Sequence, residues 1–219
     1  MSLRDFQRAF TSITLDARFA NAVHAHGAGA LVAYDLTPRE ARRLTAVTRQ
    51  PGMALNCTLA RANRFSSIHS AFPMTCVLLG TELRGVLDEL WSDRAPENVQ
   101  LQGEEQPFAE LVQGRIENAA ESCLSAYLPA VLGYERACLE LAGLVRHVVR
   151  PELAPQEARW VTFDHEPQVL FAALESFTQP ALDLPRAEHR VRITLIDGEL
   201  EVTTFEVRPT SEANRPGPC

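Results

Sequence analysis

Residues 190–207 read RVRITLIDGELEVTTFEV and carry the most definite structural signal in the chain. From Val191 to Leu195 apolar and polar residues alternate, which is typical of a strand with one buried face. Asp197-Gly198 is the preferred central pair of a two-residue type I′ turn. With that turn the apolar residues of both strands fall on one face, so the stretch predicts a β-hairpin of fixed register. The predicted pairs are Ile196 with Glu199, Leu195 with Leu200, Ile193 with Val202, Val191 with Thr204, Thr194 with Glu201, Arg192 with Thr203, and Arg190 with Phe205.

Helical signals fill the chain before this hairpin. Thr37-Pro38-Arg39-Glu40 combines an N-cap, a proline at the first helical position and a capping box, and predicts a helix to about Arg49. Residues 18–36 predict a loop with a short extended or helical piece. Apolar spacing predicts further helices over residues 3–15, 54–70, 74–79, 81–91, 105–119, 126–148 and 169–176. In the helix at 54–70 the expected buried residues are Leu55, Leu59, Phe65 and Ile68.

The change from helical to strand periodicity predicts the domain organisation. Pro151 and Pro155 bracket a linker, and residues 159–163 (RWVTF) predict a strand that joins the hairpin. We therefore expect an α+β protein with a mainly helical domain over residues 1–150 and a small antiparallel β domain over residues 151–209. The last ten residues, 210–219, predict a disordered tail.

Composition restricts the class of protein. The formal net charge is −7 and the pI is about 5.4, the positive charge is carried by arginine, and there is no basic run. Nucleic-acid binding relies on clustered cations, so nucleic acid is not an expected partner. No apolar stretch reaches the length of a membrane span, and the N-terminus lacks the apolar core of a signal peptide, so we expect a cytoplasmic protein. The five cysteines include no C-x-x-C pair, which disfavours a disulfide framework and a zinc ribbon.

Motifs of known chemistry are absent from the sequence, and the isolated candidates are weak. His24-Ala25-His26 has a spacing that suits a metal, but an exposed loop pair is the favoured interpretation. Asp164-His165-Glu166 could serve as an acid–base cluster, but a solvated strand end before Pro167 is favoured. We therefore predict no catalytic residue and no metal ligand in this chain.

Two binding surfaces remain as candidates. The first is the helix at 54–70, where Asn56, Arg61, Asn63 and Arg64 interrupt the apolar positions. Arginine there could clamp a carboxylate or a loop of a partner, or these side chains could satisfy neighbouring loops of the same chain.

The second candidate is the edge of the hairpin. A two-stranded ribbon exposes unpaired backbone groups, to which a peptide can add as a further strand unless other elements cover both edges. The strand most exposed to such pairing is the last one. The predicted peptide-binding residues are Glu199, Leu200, Glu201, Val202, Thr203, Thr204, Phe205, Glu206 and Val207, with Arg190 and Arg192 on the neighbouring strand.

Several segments resemble a bacterial family that carries a "putative DNA-binding" label and accompanies TIM-barrel enzymes with a multinuclear iron centre. The segments are Leu3-Arg4-Asp5-Phe6-Gln7-Arg8-Ala9-Phe10, Ser70-Ala71-Phe72-Pro73-Met74-Thr75 with Leu78-Leu79-Gly80, and Tyr127-Leu128-Pro129-Ala130-Val131 with Tyr134-Glu135-Arg136-Ala137. Pro51-Gly52-Met53 and the stretch 56–65 are similar to the members of that family in methanobactin biosynthesis. Cys57-Thr58-Leu59 stands where the wider family often has an Arg-Asn-Asn run.

The resemblance implies a noncatalytic subunit. Such a subunit pairs with an iron enzyme that uses O2 to convert cysteines of a precursor peptide into oxazolone and thioamide groups, which later bind copper. It is implied to hold the leader part of the precursor, while the iron belongs to the enzyme and this chain carries no cofactor. The residues Asn56, Arg61, Asn63 and Arg64 would then face the partner or its active site.

Two other classes of function stay open at the level of sequence. The family label suggests a DNA-binding or regulatory protein, against which the net charge speaks. A protein that is catalytic on its own is the third possibility.

Overall fold

The computed structural model describes residues 3–92, 103–118, 126–145, 157–181 and 183–207. Within these residues the chain is an α+β protein, as the sequence predicts. The helices are α1 (Leu3–Leu15), α2 (Ala17–His26), α3 (Pro38–Thr48), α4 (Met53–Ala71), α5 (Pro73–Leu79), α6 (Leu83–Ser92), α7 (Glu105–Asn118), α8 (Leu128–Val145) and α9 (Pro167–Glu175). The strands are β1 (Ala158–His165), β2 (Arg186–Ile196) and β3 (Glu199–Glu206), and short 3₁₀ turns cover Gly27–Leu31 and Gly80–Glu82.

The chain forms two compact units, and their division does not coincide with the boundary predicted near residue 150. One unit contains Met1–Ser70 and Arg84–Leu111, and the other contains Ala71–Leu83 and Val112–Cys219. The second unit includes α5 and α8 because these helices pack with each other, and α8 also packs against the strands. The predicted linker between Pro151 and Pro155 and the predicted tail at 210–219 lie outside the described residues.

In the first unit, α1, α2 and α3 surround a small apolar core. Ile13, Val23 and Leu44 are fully buried there, and Cys57 of α4 joins them. Residues 17–31, where only a loop and a short piece were expected, form α2 and a 3₁₀ turn. Asp16 begins α2, because its carboxylate accepts hydrogen bonds from the Arg18 and Phe19 N–H groups.

The capping box at the start of α3 is confirmed. The Thr37 hydroxyl accepts from the Glu40 N–H at 3.2 Å, and the Glu40 carboxylate accepts from the Thr37 N–H at 2.8 Å. The Thr37 N–H and the Thr37 hydroxyl both donate to the Glu40 carboxylate, and these two bonds lower the pKa of that carboxyl because they favour its charged form.

Replacing Thr37 by alanine should lower the free energy of unfolding by about 1 kcal/mol, because the Glu40 N–H loses the hydroxyl that accepts its hydrogen bond. Urea denaturation measures the change. Thr58→Ala is the matched control, since the exposed Thr58 hydroxyl only bonds to Ala54 O within α4, and it should cost less than about 0.5 kcal/mol. Equal losses in the two variants would contradict a capping role for Thr37.

The predicted buried face of α4 is wrong in part. Ile68 is buried and Phe65 is half-buried, but Leu55 and Leu59 are 62% and 54% exposed. The inward side instead carries Cys57, Ala60, Arg64 and Ile68. An arginine thus occupies a position that the apolar pattern does not assign to the interior.

The second unit is built on a three-stranded antiparallel sheet of order β1-β2-β3. The register between β2 and β3 contains every residue pair predicted from the Asp197-Gly198 turn. Phe163, Val191 and Ile193 are buried on the face against which α8 packs. No helix among the described residues has the length and apolarity that crossing a membrane requires.

Candidate peptide-binding edge and arginine cluster

Within the described residues, β3 pairs on one side only. Its single neighbour is β2, which is the central strand, so the other side of β3 is an edge of the sheet. Almost all its residues are exposed, and Thr204 is half-buried. The nine residues predicted for peptide binding therefore lie on a free edge. Arg190 and Arg192 lie on the central strand beside it.

The backbone of β3 offers its hydrogen-bonding groups to the outside at every second residue. In an antiparallel pair, every second residue exchanges backbone hydrogen bonds with the neighbouring strand. The N–H and C=O groups of the residues in between point away from that strand. The Val207 N–H donates to Glu188 O at 2.9 Å, which assigns the odd-numbered residues to bonding with β2. The outward-pointing N–H and C=O groups are those of Leu200, Val202, Thr204 and Glu206.

Apolar side chains flank this edge on both faces of the sheet. Leu200 and Val202, on the face that α8 covers further in, stay 37% and 45% exposed. On the opposite face Phe205 is 44% exposed and its ring centroid lies 5.6 Å from that of Trp160. The Arg192 guanidinium lies 5.8 Å from the Trp160 ring centroid, a cation–π distance. A strand added to β3 would meet apolar contacts on each side.

The two arginines of α4 meet on one indole ring. The guanidinium carbons of Arg61 and Arg64 each lie 4.9 Å from the centroid of Trp91. Arg61 is exposed and its guanidinium bonds to Asp88 at 2.5 Å, which lowers the pKa of that carboxyl. Together these side chains line a cleft of about 250 Å³ that also reaches Cys57 and the start of α2.

Arg64 takes a different position from Arg61. It is only 4% exposed, and its Nε donates to the Glu104 carboxylate at 2.5 Å. A side chain held in this way points into the first unit. Asn56 is exposed, but its side-chain amide donates to Thr14 O at 3.0 Å. Asn63 is exposed as well. The partner-facing role predicted for these four residues stays a prediction, and the exposed Arg61 and Asn63 fit it best.

Glu135 carries a buried carboxyl with a shifted pKa, and the sequence did not single it out as a candidate site residue. It lies on α8, is 4% exposed, and accepts hydrogen bonds from the Met74 and Thr75 N–H groups at 2.7 and 3.0 Å. Burial raises the pKa of this carboxyl to about 7. The sequence did offer one signal for such a carboxylate. Pro73 marks the start of a helix whose first N–H groups need an acceptor, and the N-cap residue Phe72 has no side-chain acceptor to provide.

The histidines are also placed differently from the expectation. His165 is buried with its ring edge-on to Tyr127, so it does not end β1 in solvent. His24 and His26 lie in α2 and not in a loop, and His24 Nδ1 is 3.3 Å from Thr48 O. No group of three or more potential metal-ligating side chains is found in the part of the chain that the structure describes.

Comparison of the chain with protein-family models, with curated proteins and with solved structures found no match.

Proposed function

We propose that this protein is a peptide-binding partner subunit, in which a peptide segment adds to the sheet as a fourth strand beside β3. The observation that carries the proposal is the row of outward backbone groups at Leu200, Val202, Thr204 and Glu206. Strand addition satisfies such groups and is a common mode of peptide recognition. The exposed Leu200 and Val202 on one face, and Phe205 on the other, would contribute the side-chain contacts.

The proposed ligand and partner follow from the resemblance described above. The subunit would act like the methanobactin biosynthesis protein MbnC. It would bind the leader of an MbnA-like precursor and present it to an MbnB-like TIM-barrel enzyme that holds the iron. The complex would convert precursor cysteines to oxazolone and thioamide groups with O2. This chain would be cytoplasmic, would hold no cofactor, would bind neither nucleic acid nor a membrane, and would have no activity alone.

Co-expression tests the proposal directly. The tagged full chain would be produced with an MbnB-like enzyme and an MbnA-like precursor, and the purified material analysed for stoichiometry, iron and precursor mass. We expect a one-to-one complex with iron in the enzyme, and a modified precursor only when this chain is present. A chain that purifies alone beside an enzyme that modifies the precursor without it would contradict the proposal.

Replacing Thr204 by proline should weaken peptide binding at least about tenfold, because the variant loses an outward N–H donor and its ring obstructs an added strand. The β2–β3 ladder should survive, since Thr204 points its backbone groups away from β2. Fluorescence anisotropy of the labelled MbnA-like leader with the full chain measures the affinity.

Thr204→Ala is the matched control and should bind nearly as well as the parent chain, because it removes the side chain and keeps the N–H group. Circular dichroism of both variants checks that the sheet is retained. If proline and alanine weaken binding equally, or neither weakens it, the peptide does not pair with this edge.

A further inference from the structure

A basic surface on α3 has no part in the proposed strand addition. Arg39, Arg42, Arg43 and Arg49 are all exposed, while the single carboxylate in this stretch, that of Glu40, is held in the capping box. Among the described residues, no carboxylate lies within the 4.0 Å ion-pair distance of any of the four. These four arginines therefore form a positively charged surface on a chain whose net charge is −7. The surface is called the α3 basic face below.

The α3 basic face borders a cavity of about 480 Å³. Arg42 and Arg49 are seven residues apart, which places them on the same side of the helix about 10 Å from each other along its axis. Only small or polar residues lie between and beside them. The lining residues are Gly27, Ala28, Arg42, Thr45, Ala46, Arg49 and Gln50. A ligand backbone can therefore approach the floor closely while both guanidiniums reach its anionic groups.

The two arginines keep donors for a ligand. Arg42 uses its Nε to bond Pro38 O at 3.2 Å, which holds the side chain along α3 and leaves its two terminal nitrogens for other acceptors. Guanidinium groups match carboxylates in bidentate geometry, so two of them beside the same cavity favour an anionic ligand with two acidic groups.

We propose that the α3 basic face binds an acidic segment of a protein partner, with carboxylates paired to Arg42 and Arg49. The positive charge of the α3 basic face complements the carboxylates of such a segment and supports this choice of ligand. None of the described residues that line the cavity is aromatic, so they offer no ring on which a nucleic-acid base could stack. The inference is independent of strand addition at β3.

The test uses the full chain and a fluorescein-labelled oligo-glutamate peptide as the probe, with anisotropy as the readout. The double variant Arg42→Gln and Arg49→Gln should bind the probe at least about tenfold more weakly than the parent chain. The control double variant, Arg8→Gln and Arg84→Gln, makes the same change in net charge at exposed side chains outside this face, and should lose less than about threefold.

A third variant with Arg42→Lys and Arg49→Lys keeps the charge but not the bidentate geometry, and should fall between the other two. Equal losses in the two glutamine variants would mean that only net charge matters and would overturn the proposal. So would a parent chain that does not bind oligo-glutamate, or one from which tripolyphosphate or single-stranded DNA displaces the probe at lower anion concentration than free oligo-glutamate does.

Discussion

Replacing Glu104 by leucine should lower the free energy of unfolding by about 3–5 kcal/mol, because it leaves a buried guanidinium without its carboxylate. The side chains of Arg64 and Glu104 are 5% and 12% exposed, and the Nε–Oε1 distance is 2.5 Å. Little water reaches either group, so the remaining charge would be both desolvated and unpaired. Urea denaturation at neutral pH measures the loss.

The matched control is the neighbouring ion pair on the same indole ring. Arg61 and Asp88 have side chains that are 49% and 28% exposed, so Arg61→Met should cost no more than about 1 kcal/mol. The double variant Arg64→Met with Glu104→Leu should recover most of the stability, because apolar residues of similar volume replace both charges. A Glu104→Leu loss as small as that of Arg61→Met would show that Arg64 is solvated in solution.

The hairpin could be predicted in full because its determinants are local. A two-residue turn fixes which residues face each other, and alternation fixes which face is buried. Asp197 and Gly198 adopt positive φ angles of 51° and 86°, as a type I′ turn requires. The same reasoning favoured β3 as the strand for peptide addition, since the last strand has only one covalent hairpin neighbour, but it left open which edge of the hairpin other elements cover.

The buried side of α4 could not be predicted because its determinant is distant in sequence. Leu55 and Leu59 satisfy the apolar spacing of a buried face and yet are exposed. Arg64 is buried only because Glu104, forty residues further on, supplies a carboxylate. The apolar pattern of a helix indicates which side is more apolar, but it cannot indicate an ion-pair partner from a distant segment of the chain.

The division into compact units also depends on contacts between residues that are distant in sequence. Apolar periodicity assigns α8 to a helical domain, but it does not say that the helix packs against the sheet. Glu135 adds to this, because its carboxylate joins α8 to the start of α5 about sixty residues earlier. The sequence of neither segment indicates that the two meet.

The buried Glu135 carboxyl should make stability depend on pH between about 4.5 and 7. Its pKa is about 7 in the folded chain, against the ordinary value of 4.5 for a solvated glutamate in an unfolded chain. In this window the folded state keeps a proton that the unfolded state releases, so the free energy of unfolding falls as pH rises. The contribution is complete below pH 4.5 and lost above pH 7, and a pKa difference of this size corresponds to about 3 kcal/mol.

Glu135→Gln stays neutral at every pH and should remove this dependence. The variant should be less stable than the parent chain at pH 5, because the NH2 group of the glutamine side chain would face the N–H of Met74 or Thr75. This difference in the free energy of unfolding should shrink steadily towards pH 8. Taking the difference between two chains cancels the titration of the histidines that both contain. A Glu135→Gln difference that grows with pH would mean that the bonds from Met74 and Thr75 stabilise the ionised carboxylate more than burial disfavours it.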